Sequence, residues 1–214
     1  TFSSRGLGDV YKRQVLYSGL INGDTFSGTY TGAFDNKNAG TGKTVTITPT
    51  YSGADVSNYS VTDHSTVTAD VAVKTLTATA SAANKTYDGT TTATTTLTFS
   101  GLVGSETLGQ TVGSTFNNKN VGTDKTVTVN SITLVDGTGL ASNYSISPGQ
   151  TTTADVTAKA LTVSGITASD KTYDGSTSAT MDGTLAVYSG LVSGDTLTGT
   201  YSGVFDNANV GTGK

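Results

Sequence analysis

The chain repeats itself, and that repetition constrains the fold more than any other feature. Lys85-Thr86-Tyr87-Asp88-Gly89 returns as Lys171-Thr172-Tyr173-Asp174-Gly175. Ser57-Asn58-Tyr59-Ser60 returns as Ser142-Asn143-Tyr144-Ser145, and Thr68-Ala69-Asp70-Val71 as Thr153-Ala154-Asp155-Val156. A third motif occurs three times, opening at Phe34, Phe116 and Phe205 and closing at Gly40, Gly122 and Gly211. The offset between copies varies by a few residues, so loops differ in length around a constant core plan. Such self-similarity marks an array of small domains. Arrays serve as spacers or multivalent surfaces, which leans against a single catalytic centre.

Cutting at the Ala-Asp-Val junctions gives one complete unit, residues 72–156, between two partial ones. Residues 15–71 lack the N-terminal part of the pattern with its Tyr-Asp-Gly segment, and residues 157–214 lack the C-terminal part. Similarity to the other copies ends just before Val15. Residues 1–14 carry both arginines of the chain, Arg5 and Arg13. The string from Ser3 to Gln14 resembles translated adapter sequence, so this segment is expected to be non-native and is set aside from the fold.

Charge and composition exclude several functions. The net charge is −4; without residues 1–14, nine basic and fifteen acidic side chains leave −6. That balance offers no electrostatic footprint for nucleic acid. No apolar run approaches the length needed to cross a bilayer as a helix. Cysteine is absent, which removes disulfide and thiolate chemistry. Abundant Thr and Val favour strands, and Gly and Asn favour turns. A threonine-rich disordered stalk is the competing reading, but only two prolines are present and the apolar residues alternate.

Period-two alternation places strands. In Thr75-Leu76-Thr77-Ala78-Thr79-Ala80, the apolar residues share one face. Val127 and Val129 do the same, but Ile132 and Leu134 have opposite parity, which requires a bulge or bend near Asn130-Ser131. Pro49, in the matching region of the first unit, suits an edge or a bulge and not a central strand. Asp88-Gly89, Asp174-Gly175 and Asp136-Gly137 are turn signals, as are the Asn-Val-Gly-Thr stretches. Short strands separated by such turns predict an all-β chain of tandem immunoglobulin-like β-sandwich repeats. Tyr59 and Tyr144 each open a strand after a turn, as a corner tyrosine does, with Val61 and Ile146 expected in the core. The junctions Thr68–Leu76 and Thr153–Leu161 contain neither Pro nor a flexible Gly/Ser linker, so neighbouring units are expected to be stiffly joined.

Catalytic and metal chemistry find no foothold. His64 stands alone, without the partners of a metal set or a nucleophile relay. Asp35-Asn36-Lys37-Asn38-Ala39-Gly40 superficially matches a calcium loop, but Lys37 and Ala39 fall on ligand positions. Calcium at Asp70 or Asp155 has no spacing signature. The Tyr-Asp-Gly motif would be able to offer an aromatic ring and a carboxylate to a glycan. The favoured reading is structural: Tyr87 and Tyr173 pack, Asp88-Gly89 and Asp174-Gly175 turn, and Lys85 and Lys171 lie outside. No catalytic, cofactor-binding or metal residue is assigned.

Taken together, Lys-Thr-Tyr-Asp-Gly-Thr-Thr, Phe-Asn-Asn-Lys-Asn-Val-Gly-Thr, Asn-Tyr-Ser and Thr-Thr-Ala-Asp-Val resemble the bacterial YDG domain. The resemblance covers residues 15–214. It implies an Ig-like repeat of large surface proteins similar to filamentous haemagglutinins, located outside the cell. The expected role is a non-enzymatic stalk or spacer segment of an adhesin. Its partners would be neighbouring repeats, with any glycan or protein receptor held by other regions, and with no nucleic acid or membrane insertion in this segment. The rival is a carbohydrate-binding module array attached to a surface hydrolase.

Overall fold

The computed structural model describes residues 17–214; the segment read as foreign lies outside them. The described residues form strands joined by turns, with only two single-turn 3-10 segments, Val56–Asn58 and Ala141–Asn143. They group into two compact units. One holds residues up to Leu76 with Gly101–Leu108 and Asp136–Ser145; the other holds Thr77–Ser100, Gly109–Val135 and Ile146–Lys214. No helix among the described residues is long and apolar enough to cross a membrane.

In the first repeat, β1 (Ser27–Phe34), β2 (Gly40–Ser52) and β3 (Thr66–Val71) form one antiparallel sheet with β2 in the middle. Pro49 lies beyond the stretch of β2 that pairs with β3 and faces Tyr30 of β1. Its missing N–H is therefore on an edge, as the sequence requires.

The central repeat opens with β4 (Lys74–Thr75), β5 (Thr77–Ala82), β6 (Lys85–Thr86), β7 (Thr92–Ala93) and β8 (Thr95–Ser100). It continues through β9 (Leu108–Phe116), β10 (Gly122–Asp136), β11 (Tyr144–Ser145) and β12 (Thr151–Thr157). A five-stranded sheet runs β6-β12-β10-β9-β7, and β5 pairs with β8 as a separate ribbon. Ala93, Phe116, Val127, Ala154 and Val156 of the sheet make the core, with Ala82 of the ribbon and Tyr87 packed on it. Val127 is fully buried, and Val129 and Val156 nearly so. Burial supplies most of the stability of such a small unit.

The burial pattern of β10 changes parity where the sequence demands it. Val127 and Val129 point in, Asn130 and Ser131 are both exposed, and Ile132 and Leu134 are half-buried. A second irregularity leaves no mark in the sequence pattern. The β10–β12 register slips between Gly122 and Lys125, and β2–β3 slips at the matching Gly40 and Lys43. The aspartate of the Ala-Asp-Val motif caps each slip: Gly42 N donates to Asp70 Oδ1 at 2.8 Å, and Asp124 N to Asp155 Oδ1 at 2.9 Å.

The third repeat is built from short pairs: β13 (Thr162–Ser164) with β17 (Val187–Ser189), β14 (Thr167–Ala168) with β16 (Met181–Asp182), and β15 (Ser178–Ala179) with β18 (Gly203–Val204). One exchange of side chains ties all three copies together. The Tyr17 and Tyr30 hydroxyls meet at 3.0 Å, and their counterparts Tyr188 and Tyr201 at 2.5 Å. A Cβ on Gly28 or Gly199 would collide with these hydroxyls. The central repeat has Phe99 and Val112 at the tyrosine positions and Gln110 at the glycine. Gln110 uses the space to bond both the N–H and the carbonyl of Leu97, at 3.1 and 2.8 Å.

Candidate functional site

The Tyr-Asp-Gly segment is a turn locked by the lysine two residues before its tyrosine. Lys85 Nζ donates to Asp88 Oδ1 and Thr90 O at 2.8 Å, to Thr92 O at 3.0 Å and to Thr90 Oγ1 at 3.1 Å. It also stands 5.5 Å over the Phe116 ring, a cation–π distance. Gly89 takes φ +80°, the left-handed region that favours glycine. The third repeat rebuilds this arrangement: Lys171 bonds Asp174 and Ser176, lies 5.7 Å from the Phe205 ring, and Gly175 has φ +76°. Lys85 is thus not outside, as the sequence reading has it. Its side chain is 17% exposed and satisfies the turn's acceptors. The lysine beside Asp88, and then the Thr90 N–H, push the Asp88 carboxyl down to about 2; Lys171 and the Ser176 N–H do the same to Asp174.

Tyr144 is buried and Tyr59 half-buried, each at the exit of a 3-10 turn. Their hydroxyls reach across to an acidic loop of the same repeat, which in the central copy lies between β8 and β9. Tyr144 donates to Glu106 Oε2 at 2.6 Å and accepts from Val103 N at 3.1 Å. Tyr59 donates to Asp24 and accepts from Ile21 N at 3.0 Å. The acid raises each phenol above its ordinary pKa. The neighbours expected to fill the core do so poorly: Ile146 is half-buried and Val61 exposed. The ring of the tyrosine itself takes the inward position.

The same acidic loop meets the preceding repeat. Lys37 Nζ is 2.7 Å from Glu106 Oε1, and the matching Lys119 is 3.6 Å from Asp195. Lys37 first, and the Tyr144 hydroxyl second, hold the Glu106 carboxyl below its ordinary pKa. Asn143 adds a polar clasp, accepting from Ala39 N at 2.8 Å and donating to Asn38 Oδ1 at 3.1 Å. Tyr87 donates its hydroxyl to Asp195 Oδ2 of the third repeat at 2.8 Å. Tyr173, expected to pack as Tyr87 does, is instead 64% exposed. The motifs repeated in sequence thus converge on the contacts between consecutive repeats. Spacing alone does not reveal the acidic loop, because Asp24, Glu106 and Asp195 stand among ordinary turn residues.

Two other features have the outline of a site. A cleft of about 680 Å³ in the first repeat is lined by Tyr17, Phe26, Tyr51 and Tyr59 over Val45 and Ile47. Val45 and Ile47 match Val127 and Val129, so this is the repeat's inner sheet face. His64 is an exposed residue at its rim. In the Asp35–Gly40 turn, Asn36 Oδ1 accepts from Asn38 N at 3.0 Å and Lys43 Nζ at 2.5 Å. A lysine ammonium in that place is incompatible with a calcium ligand set. No cluster of three or more His, Cys, Asp or Glu able to hold a metal occurs among the described residues.

A protein-family model described as the YDG domain matches residues 9–69, 72–154 and 157–214. The first match begins inside the segment set aside on sequence grounds. Comparison with the curated proteins and with solved structures gave no match.

Proposed function

The chain belongs to the YDG domain family, and from that premise we propose that it is a non-enzymatic stalk segment of a large bacterial surface or secreted adhesin. The observation that carries this reading is the recurrence of one junction contact. Lys37 and Glu106 link the first and central repeats, and Lys119 and Asp195 occupy the same positions in the central and third. A segment whose repeated motifs are spent on joining repeats is suited to spacing something else from a surface. Only two residues separate β3 from β4, and four separate β12 from β13, which leaves little slack at either junction.

Small-angle scattering on the whole chain tests the proposal. An elongated particle is expected, and a compact globule would overturn the stalk reading. The rival, glycan binding, needs an exposed aromatic ring repeated in each unit, and the ring of Tyr87 is packed on the core cluster. Binding on a glycan array that is lost in Tyr173→Ala, with the fold retained, would favour it over the stalk.

A further inference from the structure

The Tyr-Asp-Gly turn occurs twice in the described residues, once against a following repeat and once without that contact. Its internal construction is the same in both, with the lysine tether, the Asp side chain accepting from the residue after the glycine, and the positive φ. The internal bonds of the turn are therefore alike with and without that contact. What differs is its outer face. The Tyr87 hydroxyl is on Asp195, and a Cβ on Gly89 would come within 2.8 Å of the Val192 side chain. A Cβ on Gly175 would meet nothing within 4 Å.

We propose that the Tyr-Asp-Gly turn is a recognition site for the succeeding repeat, binding its acidic Val-Ser-Gly-Asp loop through the Tyr87 hydroxyl and the bare face of Gly89. The inference rests on the stalk reading and gives it the residues that select the partner. Tyr87 is well prepared for this. Its backbone N–H is fixed on Thr157 O at 2.8 Å, and its ring packs on the core cluster. Holding a hydroxyl in place beforehand reduces the entropy lost on docking. The ligand side carries the same pattern in every copy: Ile21, Val103 or Val192, then two residues, then Asp24, Glu106 or Asp195. The loop is itself a hydrogen-bonded turn, with Asp195 N donating to Val192 O at 3.0 Å. The glycine is required twice over, for its φ and because the valine occupies the space of a side chain.

Amide hydrogen exchange at Asp195, in the whole chain, reads the contact directly. Tyr87→Phe and Asp195→Asn should each speed it by about tenfold, as expected for losing a hydrogen bond to a charged group. The double variant should match the singles, because both remove one interaction. Tyr173→Phe should leave that amide unchanged. Gly89→Ala and Gly175→Ala carry the same backbone penalty, so only the first should also loosen the Val192–Asp195 loop. The proposal is overturned if the two substitutions multiply, if the loop amide does not respond, or if the two alanine variants behave alike. An elongated particle with uncoupled variants would leave the stalk standing without this site. Coupled variants in a compact particle would do the reverse.

Discussion

Lys37 places its ammonium 2.7 Å from the carboxylate of Glu106, which on its other oxygen accepts the Tyr144 hydroxyl at 2.6 Å. One acidic side chain thus serves the corner of its own repeat and the junction to the one before. Glu106→Gln keeps the shape and removes the charge. Lys37 is largely exposed, so the pair adds little to global stability. The expected effect is local: exchange at the Ala39 amide, which donates to Asn143, speeds several-fold while the melting point barely moves. In the parent chain, raising salt should produce the same loosening, and in the variant it should not. An Ala39 amide indifferent to both would refute the coupling.

Val127 and Val45 occupy matching positions in different surroundings. Val127 has no exposed surface beneath the ribbon, whereas Val45 lines the open cleft of the first repeat. Val127→Ala should cost about 2 kcal/mol, from lost burial and the cavity left behind. Val45 is also buried, at 5% exposure, but it borders the cleft, so Val45→Ala should cost less through a smaller cavity penalty. Denaturant unfolding of the two variants compares them, and equal losses would contradict the packing described.

Asp88 and Asp174 are held at about 2 in the folded chain, against 3.8 for a free aspartate. A depressed folded value means stability that is fully present above pH 4 and disappears as the pH falls towards 2. Acid titration should therefore open both Tyr-Asp-Gly turns in that window. Asp88→Asn should flatten the response at the first turn only, as followed by exchange at the Thr90 amide.

Asp124 adopts φ +49° at the register slip, where the other two repeats have Gly42 and Gly213 at φ +60° and +64°. A left-handed non-glycine residue is strained. Asp124→Gly should stabilise the central repeat by about 0.5–1 kcal/mol, reduced somewhat by the added freedom of the unfolded chain. The backbone N–H still reaches Asp155. Thermal melting measures the gain, and a loss would show that the Asp124 side chain has a role of its own.

Asp70 and Asp155 each give a carboxylate oxygen to the backbone of a slipped strand. Chelation of calcium should therefore leave the melting curve where it is. Asp155→Ala should lower it, because the Asp124 N–H then loses its acceptor. A shift on adding EDTA would reinstate a metal at the junction.

The turns, the alternation of the strands, the parity change at Asn130-Ser131 and the edge placement of Pro49 could all be read from local pattern. Each follows from the chemistry of a few adjacent residues: glycine at positive φ, side chains alternating across a pleat, proline without a donor. The slips at Gly122–Lys125 and Gly40–Lys43 were not legible, because the aspartate that satisfies each lies on another strand about thirty residues away. The role of the lysine in the Tyr-Asp-Gly motif is hidden from the sequence for a related reason. A lone lysine in a polar stretch looks solvated until the turn folds its acceptors around the ammonium.

By itself the sequence determined an all-β array, its repeat positions and the identity of its recurring motifs, since period and turn chemistry are local properties. Only the tertiary structure decided what those motifs touch. Asn-Lys-Asn, Ser-Asn-Tyr-Ser and Tyr-Asp-Gly are far apart along the chain, and the short acidic loop they address recurs in every copy without naming its partners. Hydrogen bonds and ion pairs act over a few ångströms of space, so their partners become visible only once folding has brought one repeat's loops against the next.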